Sequence, residues 1–498
     1  MRPWRPRQGW ELLFGLLLVA GFTYSALSAL RQGWGGDVRL YLAGLAELDR
    51  DLLHPRHEAM PVSGAYSAAY TPFLVALAGL ARLTDSGPVE ILRFAAVLNL
   101  LLYALAVLVF FRAFSGAPRS LVPPVVFLVA SALLRDRMFI WSSDTSIASL
   151  RFVAAYPSTF AWALALFALA LTKQLLEAET RLLLRAVSLA VLLAVLYLSH
   201  ALTGSFVLVC LGALALATGR LERPQLALGL AVLGAFLLAL SWPYYDVLGH
   251  RAYLSTPENA PFQGKELSSF LRAYVLAGWA WVLLGMPRRS FALIACWAAS
   301  LGALFTLEAL GVSYAARFGL FAAFFAFVLV AEGTSWALAS LRLRPWAASS
   351  FLLALAVTLL TTPGIGAEAR RGRPILGPLE LLAAPIPADP IDPYALALAD
   401  LLSPADVVMM PLDHLAFDLA ALSGARVVLS PFASRVPDAA AREAAVQAFF
   451  DEATSVTTRQ EILKRYGVSV VLVPRSAAVG PIGEPGPEIG PFRLFSVR

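Results

Sequence analysis

Charge is scarce in this chain: Asp, Glu, Lys and Arg make up 14% of its 498 residues, against about 25% in an ordinary soluble domain. With a mean hydropathy of +0.71, that excludes a water-soluble globule and points to a polytopic membrane protein. Disorder is excluded as well, since a disordered chain needs low hydrophobicity and high net charge. Cysteine is nearly absent. Cys210 and Cys296 both lie inside apolar segments, which leaves them as small helix-packing residues rather than a disulfide framework or a metal knuckle. Lysine is rare too, so Arg supplies nearly all positive charge, and the basic residues are spread between apolar runs. A nucleic-acid binder, which needs them clustered on a polar face, is set aside.

What the chain has in abundance is long apolar runs. The first, Leu12 to Leu30, follows Arg2, Arg5 and Arg7 and is long enough to cross about 30 Å of hydrocarbon. Small residues near its end would suit a signal peptide. A retained signal-anchor fits better, because the downstream chain is membrane-embedded too. Ten further apolar stretches fall between Glu90 and Thr361, so the sequence predicts about eleven transmembrane helices. Ala68 to Leu83 is ambiguous, and the positive-inside rule decides it. If it does not cross, the basic connections at Arg112/Arg119, Lys173/Arg181/Arg185, Arg220/Arg223, Arg288/Arg289 and Arg342/Arg344 all share the cytoplasmic side with the N-terminus. It is therefore read as an interfacial or re-entrant helix. The first outer loop (31–89), two later outer connections and everything after Pro363 then lie outside the cytoplasm.

Three regions follow: a transmembrane domain at 1–363, a linker at 364–389 rich in Pro, Gly and Arg, and a small extracytoplasmic domain at 390–498. The last alternates strand-like and helix-like patterns. Strands are expected at Asp406–Met410, Arg426–Leu429 and Val468–Val473, with helices at Leu415–Ser423, Ala439–Phe450 and Thr458–Tyr466. The pattern is that of an α/β domain.

Polar residues gather at the outer face. Asp37 stands just past the first span and is followed by an amphipathic helix with Val38, Tyr41, Leu42, Leu45 and Leu48 on one side, expected to lie in the membrane interface. A partly desolvated carboxylate there suits a general base; the plainer reading is a helix N-cap. His54 and His57 with Glu58 look like metal ligands, yet without a third firm ligand a solvated loop or an acceptor contact is the better account. Tyr244 and Tyr245 belong either to an interfacial aromatic belt or to a sugar-stacking surface.

The order of features resembles the GT-C superfamily of membrane glycosyltransferases. The matching residues are Gly36-Asp37 and Tyr41-Leu42 after the first span, and Tyr70-Thr71-Pro72-Phe73-Leu74 in place of that family's Tyr-Pro-Pro-Leu helix. Arg93, Arg317 and a tail containing LSGARVVL, AREAAVQAFF and GVSVVLV add to the likeness. It implies an enzyme that moves a hexose or pentose, with inversion, from a polyprenyl-phosphate donor to an acceptor hydroxyl at the outer face of a bacterial inner membrane. The acceptor would be a glycan, a lipid or a protein. Carried over, Asp37 is the base, and Arg317, Arg93 and His200 meet the donor phosphate. Asp136, Asp144, Tyr70, His54 and Tyr245 are expected at the substrates. Neither Asp136 nor Asp144 forms the paired acidic motif with which some members hold a divalent metal, so a metal is left open and no other cofactor is expected. The competing readings are a transporter or flippase and a polymerase or ligase of lipid-linked glycans. The first would show paired inverted repeats, which the sequence lacks, and the second a basic outer loop, whereas the longest one here carries six acids against five bases.

Overall fold

Proline marks helix starts through much of the chain, because its fixed φ suits the first turn and its missing N–H is not needed there. In the computed structural model Pro72, Pro88, Pro157, Pro345 and Pro393 each open a helix. The structure describes residues 37–62, 69–115, 120–133, 153–177, 180–218, 222–248, 274–281, 288–312, 315–340, 345–361, 393–431, 438–477 and 482–497. A few positions within 15–30 and single residues at 67, 150, 436 and 479 are described besides. The chain divides into two compact units. One comprises 1–30, 96–242 and 246–385; the other comprises 31–95, 243–245 and 386–498.

The first unit is helical. Its elements are most of α3 (Pro88–Phe114), then α4 (Val122–Leu133), α5 (Pro157–Leu176), α6 (Leu182–Ser199), α7 (Ala201–Ala217), α8 (Arg223–Leu240), α9 (Arg288–Ala309), α10 (Ala315–Ser340) and α11 (Pro345–Thr361). Numbering here begins at α3 because α1 and α2 belong to the other unit. Six helices, namely α3, α5, α6, α8, α9 and α10, are long and apolar enough to cross a membrane, so this is a multi-pass membrane protein. The remaining expected spans are shorter here or lie partly outside the described residues. The core is aromatic: Phe206 stacks on Phe321 with ring centroids 4.1 Å apart, and Trp162, Phe110, Phe127 and Phe324 surround them. Helix α10 runs through the centre, with 94% of its apolar stretch buried. Cys210 and Cys296 are buried on adjacent helices, as packing residues should be.

The second unit joins α1 (Val38–Arg50) and α2 (Pro72–Thr84) to the C-terminal domain. That domain contains α12 (Pro393–Ala399), α13 (Leu415–Leu422), α14 (Ala439–Phe450) and α15 (Val456–Tyr466). Its sheet has the order β2-β1-β3-β5-β4, where β1 is Val407–Met409, β2 Arg426–Val427, β3 Val470–Pro474, β4 Glu484–Ile489 and β5 Phe492–Ser496. The first three strands are parallel, and β5 and β4 close the sheet antiparallel. The expected strands and helices are present, and Gly467 ends α15 with φ +61°. The β4–β5 hairpin is an addition to the sequence reading. Pro485 and Pro487 hide β4, and they are tolerated because it is an edge strand.

Two expectations change. Helix α2 has 13 residues, about 20 Å at 1.5 Å per residue, too short to cross, but α1 does not lie with its apolar side in the interface. It is covered by protein: α2 packs on it and α13 packs on it, and residues 42–48 are buried without a break. The first connection therefore groups with the tail, not with the membrane helices to which the 1–363 boundary assigned it.

Candidate functional site

In the second unit, Asp37 occupies the N-cap position of α1, with its carbonyl accepting from the Tyr41 amide at 3.3 Å. Its exposed side chain makes no cap hydrogen bond, so the carboxylate is not consumed in the role that the plain reading gave it. The rest of α1 is tied down by ions. Arg39 Nη1 lies 2.9 Å from Asp418 Oδ2 on α13, and that carboxylate is buried. Glu47 accepts from Arg426 of β2 and from the Arg56 amide at 3.0 Å. Burial alone would raise the Glu47 pKa, but the Arg426 hydrogen bond and charge, the Arg56 amide and the charge of Arg50 outweigh it and hold the group below its usual value. At the far end, Arg50 donates to the Ala420 carbonyl at 3.0 Å. Arg82 of α2 donates to the last carbonyls of α1 at Leu48 and Asp49, satisfying groups that a helix end leaves open.

The segment after α1 is built into the sheet. The Val427 amide donates to the Ala59 carbonyl at 2.8 Å, and Arg426 donates to the carbonyls of His57 and Glu58, so residues 57–59 run along the β2 edge. His57 is buried, and its Nδ1 accepts from the amides of Ala59 and Met60. Burial, helped by the charges of Arg426 and Arg442, lowers its pKa against the opposing charge of Glu58. A ring nitrogen occupied in this way is not offered to a metal. His54 is exposed, in a turn where Asp51 accepts from its amide. Tyr70 is fully buried and donates its hydroxyl to the Arg56 carbonyl. It is an anchor for the loop, and the structure does not offer it to a substrate. Tyr245 is half-buried beside Tyr244, whose hydroxyl donates to the Leu52 carbonyl at 2.8 Å. Arg93 is half-buried on α3.

In the first unit, His200 is the single extended residue between α6 and α7, and its Nδ1 accepts from the Thr203 amide. The same Nδ1 lies 2.7 Å from the Thr203 hydroxyl. Arg317 lies in the first turn of α10. The α6–α7 turn is tight because Gly204 passes against Tyr197: a Cβ at 204 would meet the Tyr197 Cα at 2.9 Å. One polar residue escaped the sequence reading. Asn99, buried on α3, donates to the carbonyls of Ala154 and Tyr156 at 2.8 and 3.3 Å and so pins the start of α5. A lone Asn in an apolar run is its only sequence signal.

Asp136 and Asp144 lie outside the described residues. Among the described residues no group of three or more His, Cys, Asp or Glu is placed to hold a metal ion.

No protein-family model matches the chain, and no curated protein does. Solved structures do. ArnT from Cupriavidus metallidurans bound to undecaprenyl phosphate is 14% identical with a TM-score of 0.57, over 98% of this chain and 97% of that one. The Archaeoglobus fulgidus oligosaccharyltransferase in the apo form is 12% identical with a TM-score of 0.54, over 92% and 69%. The mycobacterial arabinofuranosyltransferase AftD is 17% identical with a TM-score of 0.58, over 97% of this chain and 40% of its own length. The chain has the fold of the GT-C membrane glycosyltransferases.

Proposed function

We propose that this protein is an integral membrane glycosyltransferase that moves a sugar from a polyprenyl-phosphate donor to an acceptor hydroxyl at the outer face of a bacterial inner membrane, its N-terminus in the cytoplasm. The observation that supports this most is the match along nearly the whole of both chains to ArnT, a structure that holds undecaprenyl phosphate. Asp37, whose side chain does not cap its helix, takes the proton of the acceptor hydroxyl as that oxygen attacks the anomeric carbon from the face opposite the phosphate. A single displacement of this kind inverts the configuration. Polyprenyl phosphate leaves with the negative charge. The guanidinium groups of Arg317 and Arg93 and the imidazole of His200 are assigned to it, and Tyr245, Asp136 and Asp144 are assigned to the sugars.

The test uses purified protein in nanodiscs with a panel of undecaprenyl-phosphate hexoses and pentoses, reading the undecaprenyl phosphate released. Wild type should release it from one of them when an acceptor glycolipid is present. Asp37→Asn should fold, bind undecaprenyl phosphate by native mass spectrometry, and release none. Full release by Asp37→Asn would rule it out as the base.

A further inference from the structure

Helix α1 is held by the C-terminal domain at three levels. Arg39 pairs with Asp418 in its first turn, Glu47 with Arg426 in its last third, and Arg50 with the Ala420 carbonyl at its end. All three partners are supplied by α13 and β2, more than 365 residues away in the sequence. A buried ion pair adds little stability compared with apolar packing of the same volume, and its best-attested use is to fix registry. Apolar contacts alone would let a 13-residue helix slide or turn on its neighbour. A charge pair at Arg39 fixes its rotation where rotation matters, two residues from Asp37.

We propose that Asp418 is a positioning residue for Asp37: through Arg39 the C-terminal domain sets where the Asp37 carboxylate stands, and so belongs to the catalytic apparatus. The inference rests on the reading of Asp37 as the base. Asp37 heads that first turn, its carbonyl accepting from the Tyr41 amide, and the Arg39–Asp418 pair anchors the same turn. Misplacement of a catalytic group by about 1 Å can cost up to a hundredfold in rate.

The experiment compares Asp418→Asn, Arg39→Gln, Arg39→Lys and the double variant Arg39→Gln/Asp418→Asn in nanodiscs, with the donor that wild type turns over. Asp418→Asn and Arg39→Gln should each lower kcat by about ten- to a hundredfold with the donor KM unchanged. Arg39→Lys, which keeps the charge, should recover most of it. The double variant should be no slower than either single one, because both remove the same pair. Wild-type kcat in Arg39→Gln, whose partner Asp418 is the more deeply buried of the two, would overturn the proposal, as would additive losses in the double variant; a thermal melt of each variant separates a lost fold from a lost rate. If Asp37→Asn is inactive while Arg39→Gln is not, the positioning role falls alone; if Asp37→Asn is active, the base assignment falls first.

Discussion

Glu47 shows how a residue can be invisible in the sequence and central in the structure. It sits one turn from the end of an amphipathic helix, where a glutamate reads as solvent-facing, yet it is buried because Arg426, 379 residues later, covers it. Truncating it leaves Arg426 with a buried charge and no counter-ion, so Glu47→Ala should destabilise the protein by about 3–5 kcal/mol, seen as a lowered melting midpoint in detergent. The position of Asp37 after the first span is a matter of local spacing; the pairing of Arg39 with Asp418 and of Glu47 with Arg426 was not legible, because no local pattern names the partner. His57 gives a pH prediction. Its folded pKa lies below the ordinary 6.5, so as pH falls from 6.5 the unfolded chain takes up the proton first. Stability should decline from there and level off only below the folded value. His57→Asn, which keeps an acceptor for the Ala59 and Met60 amides, should flatten the fall of thermal stability below pH 6.5; an unchanged slope would assign the effect to another group.

At the level of elements, periodicity located most of what is described and misjudged what covers it. The spacing of Val38, Leu42 and Leu45 correctly gave a helix, but apolar residues facing one way cannot distinguish lipid from protein as the covering medium. Here α2 and α13 supply the cover. The β4 strand was missed for the opposite reason, since its prolines break a pattern that an edge strand does not need. The α6–α7 turn offers the sharpest test of an element contact. Tyr197 backbone lies 2.9 Å from where a Cβ of residue 204 would stand, so Gly204→Ala must push α6 and α7 apart and move His200, the cap between them. The expected result is roughly 1–3 kcal/mol of lost stability and weaker retention of undecaprenyl phosphate in native mass spectrometry.

For the whole molecule, hydropathy pointed to about eleven membrane helices, of which six among the described residues are long and apolar enough to cross, and it was a poor guide to domain boundaries. Composition divides the chain at Pro363, whereas packing divides it so that residues 31–95 join 386–498. Ending the chain after Pro385 should therefore leave the helices inserted but make the 31–89 segment sensitive to limited proteolysis, because Arg39, Glu47 and residue 59 lose their partners together. The interval between Glu47 and Arg426 also sets a schedule. At about 5–20 residues per second, ribosomes need roughly 20–75 s to make the 379 residues between them. For that time α1 lacks β2 and α13, whose residues pair with it. A chain interrupted between α1 and α13 therefore carries α1 without the partners of Arg39, Glu47 and Arg50, which are lost or gained together.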